Sequence, residues 1–188
     1  MRIMLLGKAG AGKSTTAEYL VKKYSFERYA LSDKLKEIAR ELFPHHGKNR
    51  TLYQDLGTKM REIDPEVWIR YLHRKIEDEA FPDVVVEDIR YRNEFEFFAG
   101  QGFEPVRLNC NYETRLARLK KRDGKVDLER LNHISETELD HLTVLEIDNN
   151  GELQDLYRQI DTWMGHFHNM VQTVKMPFKH SRVKHGGR

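Results

Sequence analysis

Three groups of residues carry the types and spacing for chemistry. The first is Gly7-Lys8-Ala9-Gly10-Ala11-Gly12-Lys13-Ser14-Thr15, which fulfils Gly-x-x-x-x-Gly-Lys-Ser, the Walker A pattern. Glycines let a backbone wrap so that its N–H groups point inward at an anion. A helix opening at Lys13 adds its positive end. In such a loop the lysine reaches the β- and γ-phosphates, and the hydroxyl, here Ser14 Oγ, coordinates Mg²⁺. The expected ligands are ATP and Mg²⁺.

The second group is "VVVEDIRYRNE". An apolar strand that ends in Asp is where a Walker B carboxylate would orient Mg²⁺, directly or through water. Neighbouring strand residues face opposite ways, so Asp88 is assigned to the metal and Glu87 to a structural partner. Many ATPases place a hydrolytic Glu after that Asp. Here Ile89 follows, which weighs against an ATPase. Arg90 stands just above the strand end, placed to hold an anion, with a surface pair to Glu94 as the plainer alternative. The third group is the basic stretch "YETRLARLKKRDG", in which Arg115, Arg118 and Arg122 share one helix face. On composition alone that is a solvated face. Beside a phosphate loop it reads as a lid whose arginines neutralise the moving phosphoryl group, with Asp123-Gly124 as its flexible end.

The elements that must position these groups alternate. "RIMLL", "RYALS", "DVVVED", "EPVRLN" and "LTVLEID" read as buried strands. Helices are expected from Lys13, over 33–43 with Asp33 as N-cap, near 52–60, over 65–80 with Pro65 in its first turn, and over 91–99, 112–122 and 152–168. Strands separated by helices imply right-handed crossovers. The expected fold is therefore a three-layer α/β sandwich with a mainly parallel sheet of about five strands and helices on both faces. Ligands on such sheets sit at the carboxyl ends of the strands.

The 188 residues are the size of one domain, and 39% hydrophobic with 33% charged residues is a globular composition. A net charge of +2 does not mark a nucleic-acid binder. No stretch approaches the roughly 18 apolar residues of a membrane span, and Met1 to Leu6 is too short for a signal peptide, so a cytosolic protein is expected. The single Cys110 excludes an internal disulfide framework and suits packing at a strand end. The histidines, including His45-His46 and His166/His168, form no credible metal set. Residues 1–168 are expected as one domain, with a lid at about 111–142 and an acceptor region at about 33–75. A basic tail over 169–188 is expected to be partly disordered, and it is the one segment offered to nucleic acid. The sequence leaves the oligomeric state open, a homodimer included.

Taken together, "GKAGAGKSTTAEYL", "YALSDKLKEIA", "RTLYQDLGTKMREIDPEVWIRYL", "VVVEDIRYRNE", "NHISETELD" and "IDNNGELQDLYRQI" resemble the phage-type deoxynucleoside monophosphate kinases, in order and spacing, over roughly residues 1–163. The resemblance implies transfer of the ATP γ-phosphate to the 5′-phosphate of a deoxynucleotide. It also suggests a phage or prophage origin. It assigns Lys36, Gln54, Gly57, Thr58 and Trp68 to the monophosphate pocket. Lys36 would meet the acceptor phosphate, Gln54 a base edge, and Trp68 a base face; core packing is the competing reading of Trp68. Arg90 would clamp the acceptor phosphate, with Arg61 and Glu94 nearby. Asp33 would orient the acceptor sugar, or simply cap its helix. In "NHISETELD", Ser135 and Glu138 read as a capping box, and His133 as part of a structural motif. One departure is the short Pro44–Arg50 connection, where some members carry a long insertion that builds base specificity. Three other functions remain open: a phosphomevalonate-type kinase, a kinase for a modified base in DNA, and a nucleotide-gated regulator.

Overall fold

The short apolar runs form strands, and the two most apolar of them are buried on both sides. Arg2–Leu6 (β1) has four fully buried residues, and all of Val84–Glu87 (β3) is buried. The computed structural model describes residues 1–47, 49–124, 126, 131 and 137–174. In chain order the elements after β1 are α1 (Lys13–Tyr24), β2 (Glu27–Tyr29), α2 (Leu31–Leu42), a 3-10 turn (Pro44–His46), α3 (Arg50–Ile63) and α4 (Val67–Glu79). After β3 come α5 (Arg92–Gly100), β4 (Glu104–Asn109), α6 (Tyr112–Asp123), β5 (Leu145–Asp148) and α7 (Leu153–Val174). The sheet order is β2-β3-β1-β4-β5, and every pairing is parallel. Leu5 lies opposite Glu87 on one side and Val106 on the other, which brings the strand ends together.

Alternation along the strands divides the core into two layers. Met4, Leu6, Val84 and Val86 face α2, α4 and α5, where Leu35, Trp68, Ile69, Leu72 and Phe98 pack. Ile3, Leu5, Val85, Val106 and Leu108 face α1 and α7, against Ala17, Leu20, Leu156 and Ile160. This is the three-layer α/β sandwich, with five strands. Among the described residues no helix is long and apolar enough to cross a membrane.

Four boundaries differ from the sequence reading. The second strand ends at Tyr29, and Leu31 and Ser32 already belong to α2. The cause is distant in sequence: the Asp88 carboxylate accepts from Leu31 N at 2.9 Å and Ser32 N at 3.1 Å, and so caps this helix from β3's end. Asp33 is therefore not the N-cap. Ala30 is, and Asp33 lies in the first turn, drawn to Arg28 Nη1 at 2.8 Å. Pro65 precedes α4, whose N-cap is Glu66. β5 begins three residues later than expected. The chain before it runs beside β4, where Arg107 donates to Leu139 O at 2.6 Å and Leu142 O at 2.9 Å. Finally α7 runs on to Val174, into the stretch expected to be tail. Residues 175–188, His133 and Ser135 lie outside the described residues.

Phe98 sits at the centre of the α5 layer, fully buried and edge-on to Phe97 and Phe103. Phe98→Ala is expected to lower stability by about 3–5 kcal/mol. The urea midpoint should fall with the slope unchanged; a loss below about 1 kcal/mol would mean the site collapses around the deletion.

Candidate functional site

The parallel sheet delivers its carboxyl ends to one rim, and the phosphate loop lies on it between β1 and α1. Two close approaches shape the loop. Gly10 (φ +80°) packs on α6 so tightly that a Cβ would stand 2.9 Å from Arg115 O. Gly12 (φ +102°) packs on Asn149, and any Cβ there would collide with its amide nitrogen. Asn149 is only 4% exposed. Its side chain donates to Ala11 O at 2.8 Å, and its backbone N–H donates to Asn109 O at 2.7 Å. The turn after β5 therefore fixes the Ala11 carbonyl of the loop. Lys13 is buried and donates to Gly7 O and, at 3.2 Å, to Lys8 O. Ser14 is exposed at the mouth of α1.

A cleft of about 800 Å³ opens over this loop. Residues 8–15 line it on one side, with Asn149, Arg118 and Arg122. Glu87, Asp88 and Arg90 line its middle; Lys36, Gln54, Gly57, Thr58, Arg61 and Trp68 line the far side. Most of the residues singled out from sequence are thus gathered around one space. Gly57 is the close-packing point of α3. A Cβ there would press to 2.9 Å on Leu35, and its carbonyl accepts from Trp68 Nε1 at 3.4 Å and Arg61 Nη1 at 3.3 Å.

Four expected roles change. Trp68 is 3% exposed and packed into the α2/α4 core, so its ring is a wall and offers no open face for stacking. The aromatic residues that line the cleft while half-exposed are Tyr53 and Tyr91, which the sequence reading passed over. Asp33 stands outside the cleft lining, held by Arg28 with Lys36 at 3.7 Å. Glu94 also lies outside the lining. Its side chain is 2% exposed and accepts from Arg61 Nη2 at 2.8 Å. Arg115 is buried under the phosphate loop, donating to Ala9 O at 3.2 Å, with Tyr112 beneath its guanidinium at 5.7 Å. It faces a separate space of about 430 Å³ behind the loop. The first turns of α6 thus form a wall of the phosphate loop. Arg118 and Arg122 remain on the cleft. Arg118 reaches Asn149 Oδ1 at 3.4 Å and Cys110 Sγ at 3.5 Å, and Arg122 pairs with Asp123 at 2.8 Å.

The chain matches the AAA domain family over residues 3–139. It belongs to that family. Among solved structures, TT1252 from Thermus thermophilus is similar at 22% identity and a TM-score of 0.60, covering 88% of this chain and 97% of that one. Shikimate kinase from Bacteroides thetaiotaomicron is similar at 18% and 0.55, covering 89% and 98%. Both likenesses show the fold. An adenylate kinase of Geotalea daltonii is 37% identical over 57 residues, which are 30% of this chain and 26% of that protein, so the match spans about a quarter of that curated relative.

Within this AAA domain, the carboxylates at β3 divide as their faces dictate. Glu87 pairs with Arg28, which donates through Nε at 2.6 Å and through Nη2, while its second oxygen finds no partner among the described residues. Asp88 turns the other way on a backbone of φ +89° to cap α2. Each Asp88 oxygen accepts one N–H and the Ser32 side chain bonds the carboxylate as well, so the acceptor capacity left for a metal or its water is small. No three His, Cys, Asp or Glu residues gather for a metal among the described residues. The donor set on offer is therefore one hydroxyl and one carboxylate. That fits Mg²⁺, which keeps several waters and takes further oxygens from phosphates.

Two predictions follow from this geometry. Gly12→Ala should leave the protein folded but weaken ADP binding by tenfold or more, about 1.4 kcal/mol, read by calorimetry; unchanged affinity would show that Asn149 yields. The second concerns Asp88. Burial raises its pKa above the usual 3.8, with Ser32 and Arg90 opposing. Above that value the native state holds more protons than the unfolded one, so the contribution to stability falls as pH rises. In urea melts from pH 4 to 7, wild type should lose stability relative to Asp88→Asn as pH increases. A constant difference would deny the shift.

Proposed function

We propose that the protein is an ATP-dependent kinase that places a phosphate on a phosphate, with a deoxynucleoside monophosphate as acceptor. The observation that carries this reading is the cleft beyond the phosphate loop. There Lys36 and Arg61 on the far side and Arg90 in the middle line the same space as the phosphate loop. Acceptors that react through a hydroxyl need a base at that end, whereas three cations suit a dianion. The resemblance to phage-type deoxynucleoside monophosphate kinases narrows the acceptor, and Gln54 with the half-exposed Tyr53 supplies a polar edge and an aromatic face for a base.

The roles then divide along the cleft. The backbone of residues 8–15 and Lys13 hold the ATP phosphates. Ser14 and Asp88 would hold Mg²⁺, which neutralises phosphate charge when bound. Lys36, Arg61 and Arg90 fix the acceptor phosphate in line with the γ-phosphorus. An acceptor phosphate is already ionised near neutral pH, so its oxygen attacks without a strong general base. Rate comes from position and charge neutralisation. Arg118 and Arg122 close the donor side.

The test is ADP release from Mg·ATP with single deoxynucleoside and ribonucleoside monophosphates, phosphomevalonate, shikimate and DNA, with Lys13→Ala as the blank. Stimulation by one or more deoxynucleoside monophosphates, absent from the blank, is the expected result. Stimulation by phosphomevalonate or DNA alone would keep the phosphotransfer and replace the acceptor. No stimulation by any of them would leave a nucleotide-gated regulator.

A further inference from the structure

The acceptor end holds a charge that the cleft itself never meets. Glu94 stands in the first turn of α5, its side chain 2% exposed and outside the cleft lining. Taking a carboxylate out of water is costly unless donors replace the water. Burial pushes the pKa of Glu94 up, and Arg61 foremost pulls it back. Three donors converge on it: Arg61 Nη2 at 2.8 Å, Arg90 N at 2.9 Å and Tyr91 N at 3.1 Å.

These donors come from two separate walls. Arg61 belongs to α3; Arg90 and Tyr91 belong to the connection after β3. The Arg61 guanidinium is held on three sides: Glu94, the Tyr91 ring at 4.5 Å, and Gly57 O at 3.3 Å. A free arginine side chain carries rotamer entropy that a ligand must otherwise freeze out. Here the fold has already frozen it, on a residue that lines the cleft.

We propose that Glu94 is the positioning residue of the acceptor site: it locks the Arg61 guanidinium and the backbone carrying Arg90 into one unit that receives a phosphate-bearing acceptor. This rests on the kinase reading above. A purely structural role, the capping box that Glu94 makes with Tyr91 at the start of α5, needs only an oxygen. The pair with Arg61 needs the negative charge. Glu94→Gln separates the two, because glutamine keeps an oxygen for the backbone donors and loses the charge.

The experiment has two arms on the full-length protein. In the kinetic arm, Glu94→Gln should raise the acceptor KM about tenfold. The KM for ATP and the kcat at saturating acceptor should stay within about twofold. In an Arg61→Ala background the same change should add nothing to the acceptor KM. In the chemical arm, wild type and Glu94→Gln are treated with phenylglyoxal, with and without inorganic phosphate, and modification of Arg61 is mapped by mass spectrometry. Arg61 should react several times faster in Glu94→Gln, and phosphate should protect it less. If Glu94→Gln does not fold, Glu94→Asp, whose carboxylate falls one methylene short of Arg61, is read by the same assays. A folded variant with unchanged acceptor KM and unchanged Arg61 reactivity overturns the proposal. If wild type has no acceptor-dependent activity, the kinase reading falls and the Arg61 reactivity decides the role of Glu94 alone.

Discussion

A sheet whose strands all run one way must return its chain across the faces, and this constraint places everything else. Each return is a helix, so both faces are covered and both sides of β1 turn apolar. Each carboxyl end then arrives at the same rim. β1 lies in the middle, between β3 and β4. The loop leaving β1 is therefore flanked by the ends of its two neighbours, and a cleft at that point has walls from three directions.

The two ends of the cleft are made rigid by different means. At the phosphate loop the device is close backbone approach. Two left-handed glycines rest directly on α6 and Asn149, and hydrogen bonds from Arg115 and Asn149 hold the carbonyls of Ala9 and Ala11 outward. That leaves the loop's N–H groups for an anion. At the opposite end, beside Arg61 and Arg90, the device is buried charge. Asp88 and Glu94 each draw backbone N–H groups from neighbouring segments, and each is offset by a nearby arginine. Packing fixes a shape, whereas buried carboxylates fix where cations stand.

The elements that bind locally were legible. β4 falls on the residues that "EPVRLN" marks, and the layer count and parallel sheet follow from apolar runs alternating with amphipathic ones. The phosphate loop was legible because backbone chemistry demands glycine at fixed spacing. What was not legible is set by partners far away in sequence. Asp88 starts α2 from the other side of the sheet, so no local signal could put the helix at Leu31. Asn149 looked like an ordinary turn residue, because its partner is the carbonyl of Ala11. Arg115 and Arg118 are three residues apart on α6, yet one ends under the loop and the other on the cleft. Trp68 sits on the cleft wall but faces inward, a distinction that depends on how α3 and α4 pack at Gly57.

Asp88 is held to two opposing demands. Its backbone at φ +89° favours a residue without a side chain, while the N–H groups of Leu31 and Ser32 ask for a side-chain acceptor at that point. Glycine would relax the main chain and leave the start of α2 without its partner. Most larger residues would neither tolerate the turn nor reach those donors. Aspartate meets both demands, with one oxygen for each N–H; asparagine tolerates the turn but keeps a single acceptor. Substitution at this position is therefore confined almost entirely to aspartate, whatever ligand the cleft takes.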